Sequence, residues 1–372
     1  MRYENVCLES FGYTLPEEIV TSAELEAALA PLYTRLRLPE GRLELMSGIR
    51  ERRFWPPGTL PSGPSMASAQ LAIDAAQIDK SQIGALVHAS VCRDFLEPAT
   101  ASTVHHTLEL PNDCLIYDVS NACLGILNGM VQVANMIELG QIRAGLIVGT
   151  ESAGPLVEST IAALNADTTL TREQIKHSIA SLTIGSASVA VLLVHRDLSR
   201  TDNRLLGATA RAATNFHDLC RSGRDDAIGD AMQPLMRTDS ERLMLEGVQA
   251  AVPAFHAFLD EMGWSRDEIN KTFCHQVGIA QRKLLFEELG LDSAIDFTTI
   301  EFLGNTGSAA LPITAALGIE RGHLRPNDRV ALMGIGSGIN VLMLGVEWQR
   351  AAVGSGAPVS VPAVAGRTRV DS

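Results

Sequence analysis

The chain has 372 residues, 46% of them hydrophobic and 20% charged, so it can bury a large core. Its formal net charge of −13 argues against a nucleic-acid-binding or anionic-membrane surface, because both need a basic face. Its six cysteines form no C-x-x-C pair, which favours a reduced, cytoplasmic compartment over a disulfide framework.

The N-terminus shows no apolar h-region, so we expect no signal peptide. The longest apolar runs, such as residues 189–194, are far shorter than the roughly 20 residues that span a bilayer. We therefore expect no membrane span, and a fatty substrate would have to arrive as a thioester or from a partner protein.

Short apolar segments alternate with helical patterns along the chain. Strands are predicted at residues 86–91, 114–119, 144–149, 188–194, 329–333 and 340–346. Helices are predicted at residues 66–76, 124–139, 241–262 and 281–289. The glycine-rich segment 334–338 is typical of a hairpin between the last two strands. Such alternation predicts an α/β architecture with covered sheets.

Three segments mark the predicted organisation. The polar stretch 195–204 follows a buried strand and predicts a boundary between halves at residues 1–195 and 196–350. Residues 221–230 are polar and glycine-containing, which favours a surface loop. Residues 351–372 are dominated by Ala, Val, Gly, Ser and Pro without periodicity, which predicts a disordered tail.

Cys123 lies between a predicted strand and a predicted helix, in the segment DVSNACLG at residues 118–125. Backbone N–H groups and the helix dipole at such a turn favour an anion, which would lower the thiol pKa and make Cys123 a nucleophile. Taken alone, Cys123 would more readily be interpreted as a small buried residue, as many cysteines are.

Two distant polar residues favour the nucleophile. His275 follows the apolar segment 272–274, and Asn305 lies in the segment FLGNTGSAA at residues 302–310. A histidine can move a proton beside a thiol, and an asparagine can donate a hydrogen bond to a developing oxyanion. Their spacing alone does not show that the three residues meet.

With Cys123, His275 and Asn305 in this order, the chain resembles the thiolase superfamily and, within it, the type III β-ketoacyl synthases. The resemblance covers about residues 1–348. The resemblance rests on GIRERR at residues 48–53, the Asn-Ala-Cys turn, His275-Gln276, Gly304-Asn305-Thr306 and GIGSG at residues 334–338. Within that group it is most similar to the olefin-pathway thiolases, which join two long acyl-CoA chains head to head, through SVCRDFLEP at residues 90–98 and through Ser337. This resemblance implies a thiolase fold, a five-layered αβαβα sandwich of two similar halves.

The resemblance also implies the site. Cys123 would carry the acyl group, and the backbone N–H groups of Cys123 and Ser337 would bind its oxyanion. His275 and Asn305 would hold the thioester carbonyl of the second substrate as its enolate forms. No metal or cofactor is implied, because coenzyme A thioesters are the substrates, and residues that bind the coenzyme are not identified.

Glu97 distinguishes a non-decarboxylative condensation from a decarboxylative one. Removing an α-proton from an acyl-CoA needs a base, whereas a malonyl thioester generates its carbanion by losing CO2. The resemblance places Glu97 in the active site of the partner subunit of a homodimer, although an isolated glutamate before Pro98 could be an ordinary loop carboxylate. We therefore expect an acyltransferase that performs a non-decarboxylative Claisen condensation of two long-chain acyl-CoAs to a β-keto acid, a step of lipid biosynthesis with possible downstream enzymes as partners.

Two other functions stay open. The chain could be a decarboxylative type III synthase that uses acyl-CoA and a malonyl thioester, or a non-catalytic acyl-binding partner, which would need no nucleophile. Two departures from the type III pattern bear on this choice. Gly278 and Ala280 replace the asparagine and arginine that follow His-Gln, which argues against standard carrier-protein recognition, and residues 185–188 read GSAS in place of Gly-Asp-Gly-Ala.

Overall fold

The computed structural model describes residues 1–222 and 236–356. Most of the predicted loop at 221–230 and of the predicted tail at 351–372 therefore lies outside the described residues. The strands are β1 (Val6–Thr14), β2 (Glu18–Thr21), β3 (Glu51–Phe54), β4 (Ile83–Ala89), β5 (Leu115–Val119), β6 (Ala144–Glu151), β7 (Ala187–His195), β8 (Arg204–Ala212), β9 (Cys220–Ser222), β10 (Met236–Thr238), β11 (Lys271–Cys274), β12 (Arg329–Gly336), β13 (Asn340–Glu347) and β14 (Val353–Ser355). The helices are α1 (Ser22–Ala28), α2 (Ala30–Leu36), α3 (Arg42–Ser47), α4 (Ser62–Ala76), α5 (Thr100–Leu108), α6 (Gly125–Glu138), α7 (Gly154–Ala166), α8 (Arg172–Ile179), α9 (Ser240–Met262), α10 (Ile279–Leu289), α11 (Ile300–Leu303) and α12 (Ala310–Glu320).

Ten of the described strands form one sheet with two mixed parts that meet at one strand edge, and β2-β3 and β9-β10 form two small antiparallel sheets. The first part has the order β5-β4-β6-β7-β1, and the second part has the order β11-β12-β13-β8. A single pairing of Cys7 in β1 with Arg204 in β8 joins them into one hydrogen-bonded path. The hairpin of β12 and β13 is antiparallel along its whole length, from Arg329 opposite Glu347 to Gly336 opposite Asn340.

Helices cover both faces of both parts of the sheet, and this gives the five expected layers. Helices α4 and α5 pack on the outer face of the first part, whereas α6 and α12 lie between the two parts. Helices α9 and α10 form the outer layer of the second part. The smaller helices α1, α2, α3, α7 and α8 gather around a separate apolar cluster beside this sandwich.

Helix α12 lies in the central layer, between the two parts of the sheet, and its sequence shows no helical periodicity. It is buried from Ala310 to Ile319, because these two parts enclose it on two sides. A helix that is apolar all round is typical of such a position. The exposed α9 instead carries conventional end signals, with Asp239 accepting a hydrogen bond from the Arg242 N–H at its start and Gly263 in the left-handed conformation (φ 67°) at its end.

The predicted boundary region connects β7 to β8. The strand β7 ends at His195, and β8 begins at Arg204. Buried Glu9 accepts hydrogen bonds from Ser199, the Arg200 N–H and Thr201 of this connection, which fixes it against β1.

The prediction of a disordered tail from residue 351 is wrong for its first six residues. Val353–Ser355 forms β14, which pairs in parallel with β1, and the Phe11 N–H donates to the Ala352 carbonyl at 3.0 Å. Gly354 permits this packing, since a Cβ there would lie 2.3 Å from the Leu71 carbonyl oxygen of α4. So short a strand has no room for apolar alternation, which is why composition alone suggested a tail.

Across residues 1–222 and 236–356, no helix combines the length and the apolar character that crossing a membrane requires.

Candidate active site

Cys123 lies at a tight turn where β5 ends and α6 begins. Ala122 has a positive φ of 45°, and the Leu124 N–H donates to the Asn121 carbonyl at 3.0 Å. A left-handed backbone at a residue other than glycine costs on the order of 1–3 kcal/mol and is held only where the surroundings enforce it. The turn leaves Cys123 half-buried at the start of α6.

The hairpin end of β12 reaches this nucleophile turn. A Cβ on Gly336 would lie 2.9 Å from the Leu124 Cγ and 3.7 Å from the Cys123 Cβ, so a glycine is needed for this approach. The backbone N–H groups of Cys123 and of Ser337, the residue after Gly336, both lower the pKa of the Cys123 thiol. The close approach of the hairpin therefore brings two N–H groups to the nucleophile, as an oxyanion site requires.

The expectation that the helix start lowers the pKa of Cys123 is wrong. Burial raises the thiol pKa to about 12, and the nearby Cys220 thiol and Glu151 carboxylate add to the shift. The backbone N–H groups of Cys123 and Ser337 act in the opposite direction but do not compensate for the burial. At neutral pH the resting nucleophile is a thiol.

His275 follows the last residue of β11, where its backbone N–H donates to the Met333 carbonyl at 3.1 Å. Its ring is buried, and neither Nδ1 nor Nε2 has a hydrogen-bond partner in the described part of the chain. Burial lowers its pKa to about 4, so the imidazole is neutral at pH 7. The side chain of Gln276 fixes this strand end, donating to the Cys274 carbonyl and accepting from the Thr299 N–H.

Asn305 is held by its backbone on both sides. Its N–H donates to the Thr183 carbonyl, and its carbonyl accepts from the Gly185 N–H, both at 2.9 Å. Its Oδ1 accepts from the Gly307 N–H at 3.0 Å. The side-chain Nδ2 of Asn305 is thereby left to donate to a substrate oxygen.

The Gly-Ser-Ala-Ser segment has a structural role at this point. A Cβ on Gly185 would lie 1.9 Å from the Leu303 carbonyl oxygen, so only glycine fits beside the Asn305 segment. The Ser186 Oγ accepts from the Ala153 N–H, and the Ser186 N–H donates to the Arg53 carbonyl. These contacts hold residues 185–186 between β3 and the segment that bears Asn305.

The arginine motif at residues 48–53 supports the same region. Arg52 is fully buried and donates to the Ser22 Oγ and to the Leu182 carbonyl. Its Cβ would lie 3.3 Å from a Cβ at either Gly185 or Gly304. Burial lowers the Arg52 pKa to about 10, which leaves the guanidinium charged at neutral pH. The motif therefore contributes to the packing behind Asn305.

Glu97 lies in the connection between β4 and α5. It is exposed and forms no hydrogen bond or ion pair within the described ranges. Its neighbours Phe95 and Leu96 are 56% and 51% exposed, which is unusual for large apolar side chains. Within the described ranges, the hairpin end brings Ser337 to Cys123, whereas no hydrogen bond or ion pair links Glu97 to either residue.

One acidic residue near the nucleophile was not predicted from the sequence. Glu151 is the last residue of β6, is 5% exposed, and its charge acts on the Cys123 thiol. The available signal was a carboxylate two residues after the apolar run at 144–149, which resembles an ordinary strand end.

Comparisons with known proteins agree with this architecture. The thiolase N-terminal domain matches residues 65–228, and the C-terminal domain of 3-oxoacyl-[acyl-carrier-protein] synthase III matches residues 259–348. An acyl-CoA:acyl-CoA alkyltransferase of Shewanella oneidensis is 42% identical over 351 residues, which cover 94% of this chain and all of the relative. The chain belongs to the acyl-CoA:acyl-CoA alkyltransferase family. A member from Xanthomonas campestris is 33% identical over 94% of this chain and its own full length.

Solved structures of the family share the fold. Crystal structures of Xanthomonas campestris OleA, including variants of a glutamate, a cysteine and a histidine, superpose with a TM-score of 0.87 at 33% identity and cover 94% of this chain. They span 98–100% of the OleA chains. The resemblance to the thiolase superfamily and the thiolase fold predicted from it are therefore confirmed. A β-ketoacyl-[acyl-carrier-protein] synthase III of Ruegeria matches at only 24% identity.

Proposed function

We propose that this protein is an acyltransferase that joins two acyl-CoA molecules by a non-decarboxylative Claisen condensation, with long-chain acyl groups as its substrates. The observation that carries the proposal is the close approach of the hairpin end at Gly336 to Cys123 at a strand-to-helix turn, where the backbone N–H groups of Cys123 and Ser337 favour negative charge. Membership in the acyl-CoA:acyl-CoA alkyltransferase family supports the same reaction.

In the first half-reaction, the Cys123 sulfur attacks the thioester carbon of one acyl-CoA. The carbonyl oxygen becomes an oxyanion that accepts hydrogen bonds from the Cys123 and Ser337 N–H groups. The C–S bond to coenzyme A then breaks, and CoA leaves with the proton that the thiol gave up. Because the resting thiol has a pKa of about 12, this proton must be removed as the attack proceeds.

In the second half-reaction, Glu97 removes an α-proton from the second acyl-CoA. His275 and the Nδ2 of Asn305 donate hydrogen bonds to the enolate oxygen. A neutral His275 suits this role, since it can donate a hydrogen bond through the one ring nitrogen that carries a proton. The α-carbon attacks the acyl-Cys123 carbonyl, the C–S bond breaks, and Cys123 recovers its proton. Water then cleaves the remaining thioester to a β-keto acid and CoA.

We also infer that the working unit is a homodimer in which Glu97 acts in the partner's site. Support comes from the exposure of Glu97 together with Val91, Phe95 and Leu96 on one loop. The neighbouring β5 is the edge strand of its sheet, with Leu115 52% exposed. Exposed apolar groups beside a free strand edge are typical of a protein interface. We place the enzyme in the cytoplasm, in lipid biosynthesis, and without a cofactor.

Variants of Glu97 test the reaction type. Glu97→Ala and Glu97→Gln should stop condensation but still allow acylation of Cys123, because only the second half-reaction removes a carbon-bound proton. Acyl-Cys123 is measured by peptide mass spectrometry, and condensation by product analysis. Cys123→Ala is the control that should lose both. Condensation by the Glu97→Ala homodimer would refute the role of the glutamate and favour the malonyl-dependent alternative.

Mixed dimers test where Glu97 acts. Subunits with Cys123→Ala, combined with subunits with Glu97→Ala, should regain one working site per heterodimer. An absence of recovery would show that Glu97 serves its own subunit.

A further inference from the structure

Glu151 is a buried carboxylate whose partners are all neutral hydrogen-bond donors. Its Oε1 accepts from the Val91 N–H at 3.0 Å, the Ser308 N–H at 3.2 Å and the Ser308 Oγ at 2.5 Å. Its Oε2 accepts from the Cys92 N–H at 3.3 Å. No arginine, lysine or histidine forms an ion pair with it in the described ranges. Burying a charge without a counter-ion is costly, so this arrangement calls for a reason.

The four donors come from two segments that are far apart in sequence. Val91 and Cys92 begin the connection that carries Glu97, and Ser308 follows Asn305 by three residues. Ser308 tightens the link further, because its Oγ also lies 3.2 Å from the Ala89 carbonyl at the end of β4. A Cβ on Gly307 would lie 3.1 Å from the Glu151 Cδ, so the carboxylate packs directly under the Asn305 turn.

The carboxylate does not help the nucleophile. Its negative charge disfavours the Cys123 thiolate, and it has the same effect on Cys92. A residue retained for the first half-reaction would act in the opposite direction. The contacts of Glu151 lead instead to the two segments whose residues act on the second substrate.

We infer that Glu151 is a positioning residue for the condensation half-reaction, holding in place both the turn that bears Asn305, which acts in its own subunit's site, and the segment that bears Glu97, which acts in the partner's site. This inference rests on the proposed function, and it assigns Glu151 no contact with the substrate. A displacement of about 1 Å in such a group costs on the order of 100-fold in rate. Loss of Glu151 should therefore slow condensation far more than acylation.

The test measures acylation and condensation separately in Glu151→Ala and Glu151→Gln. In Glu151→Ala, condensation should fall on the order of 100-fold, while acylation of Cys123 stays within about threefold of the wild type. In Glu151→Gln, the remaining oxygen still accepts from Val91 and Ser308, so at least one tenth of the wild-type condensation should return. Alkylation of Cys123 at a fixed alkaline pH should become faster in Glu151→Gln, because the nearby negative charge is removed.

Glu9→Gln is the matched control. Glu9 is also a buried carboxylate satisfied by hydroxyl and N–H donors, but it lies in β1 and its donors belong to the β7–β8 connection. Its amide variant should leave both the ratio of condensation to acylation and the alkylation rate of Cys123 unchanged.

Three outcomes would overturn the inference: a Glu151→Ala enzyme that condenses at the wild-type rate, a parallel loss of acylation and condensation, or a Glu151→Gln enzyme that matches Glu9→Gln in both readouts. If Glu151→Ala does not fold, the Glu151→Gln comparison decides alone. Failure of the wild-type enzyme to condense two acyl-CoAs would instead refute the proposed function.

Discussion

Gly185→Ala tests whether the turn that bears Asn305 must be placed accurately for condensation. The added Cβ would lie 1.9 Å from the Leu303 carbonyl oxygen and 3.1 Å from its carbonyl carbon. Since real contacts of a Cβ do not fall below 3.0 Å, one of the two backbones must move by about 1 Å. The Asn305 carbonyl accepts a hydrogen bond from the Gly185 N–H, and Asn305 lies two residues beyond Leu303. Asn305 should therefore move with whichever of these two backbones shifts.

The expected effect follows from this displacement. Overpacking of this kind costs about 1–3 kcal/mol of stability, which a protein with four apolar clusters should tolerate. A 1 Å shift of a catalytic group costs on the order of 100-fold in rate. Condensation should therefore fall by about that factor, whereas acylation of Cys123 should change little, because Asn305 acts only on the second substrate.

The assay compares single-turnover acylation, followed by peptide mass spectrometry, with product formation over many turnovers. Gly63→Ala is the control, because a Cβ at Gly63 in α4 has no atom within 4 Å. A Gly185→Ala enzyme that condenses as well as Gly63→Ala would refute the reasoning. Equal losses of acylation and condensation would show that the turn supports the whole site.

Two further predictions concern the thiol and the chain end. Because the Cys123 pKa is about 12, its alkylation by iodoacetamide should accelerate about tenfold per pH unit between pH 7 and 10, and a plateau below pH 9 would contradict a buried neutral thiol. Truncation after Arg350 removes β14 and its hydrogen bonds to β1, so it should cost about 1–3 kcal/mol in urea unfolding relative to truncation after Gly356. Equal unfolding midpoints for the two truncated chains would show that β14 contributes nothing.

The sequence predicted the elements whose apolar pattern was visible. The predicted helix at 124–139 is α6, and the predicted strands at 329–333 and 340–346 are the hairpin of β12 and β13. These elements have clear periodicity or turn residues at their ends. Helix α12 was missed because it is buried on all sides and therefore shows no polar face.

The site was harder to predict than the fold. Cys123 and Ser337 lie together, but no spacing rule shows it, since the contact arises from the close approach of the β12 hairpin at Gly336. The electrostatics were missed because burial and Glu151 come from the tertiary structure. The sign of the Cys123 pKa shift was therefore wrong when only the start of α6 was considered.

The central claim is that the enzyme condenses two acyl-CoA molecules without loss of CO2. It is tested most directly by incubating the purified protein with a single long-chain acyl-CoA and identifying the products by mass spectrometry, with and without malonyl-CoA. The account predicts a β-keto acid that contains both acyl chains and every carbon atom of each, formed from the acyl-CoA alone. A product that appears only when malonyl-CoA is present, longer than the acyl chain by two carbons, would contradict it.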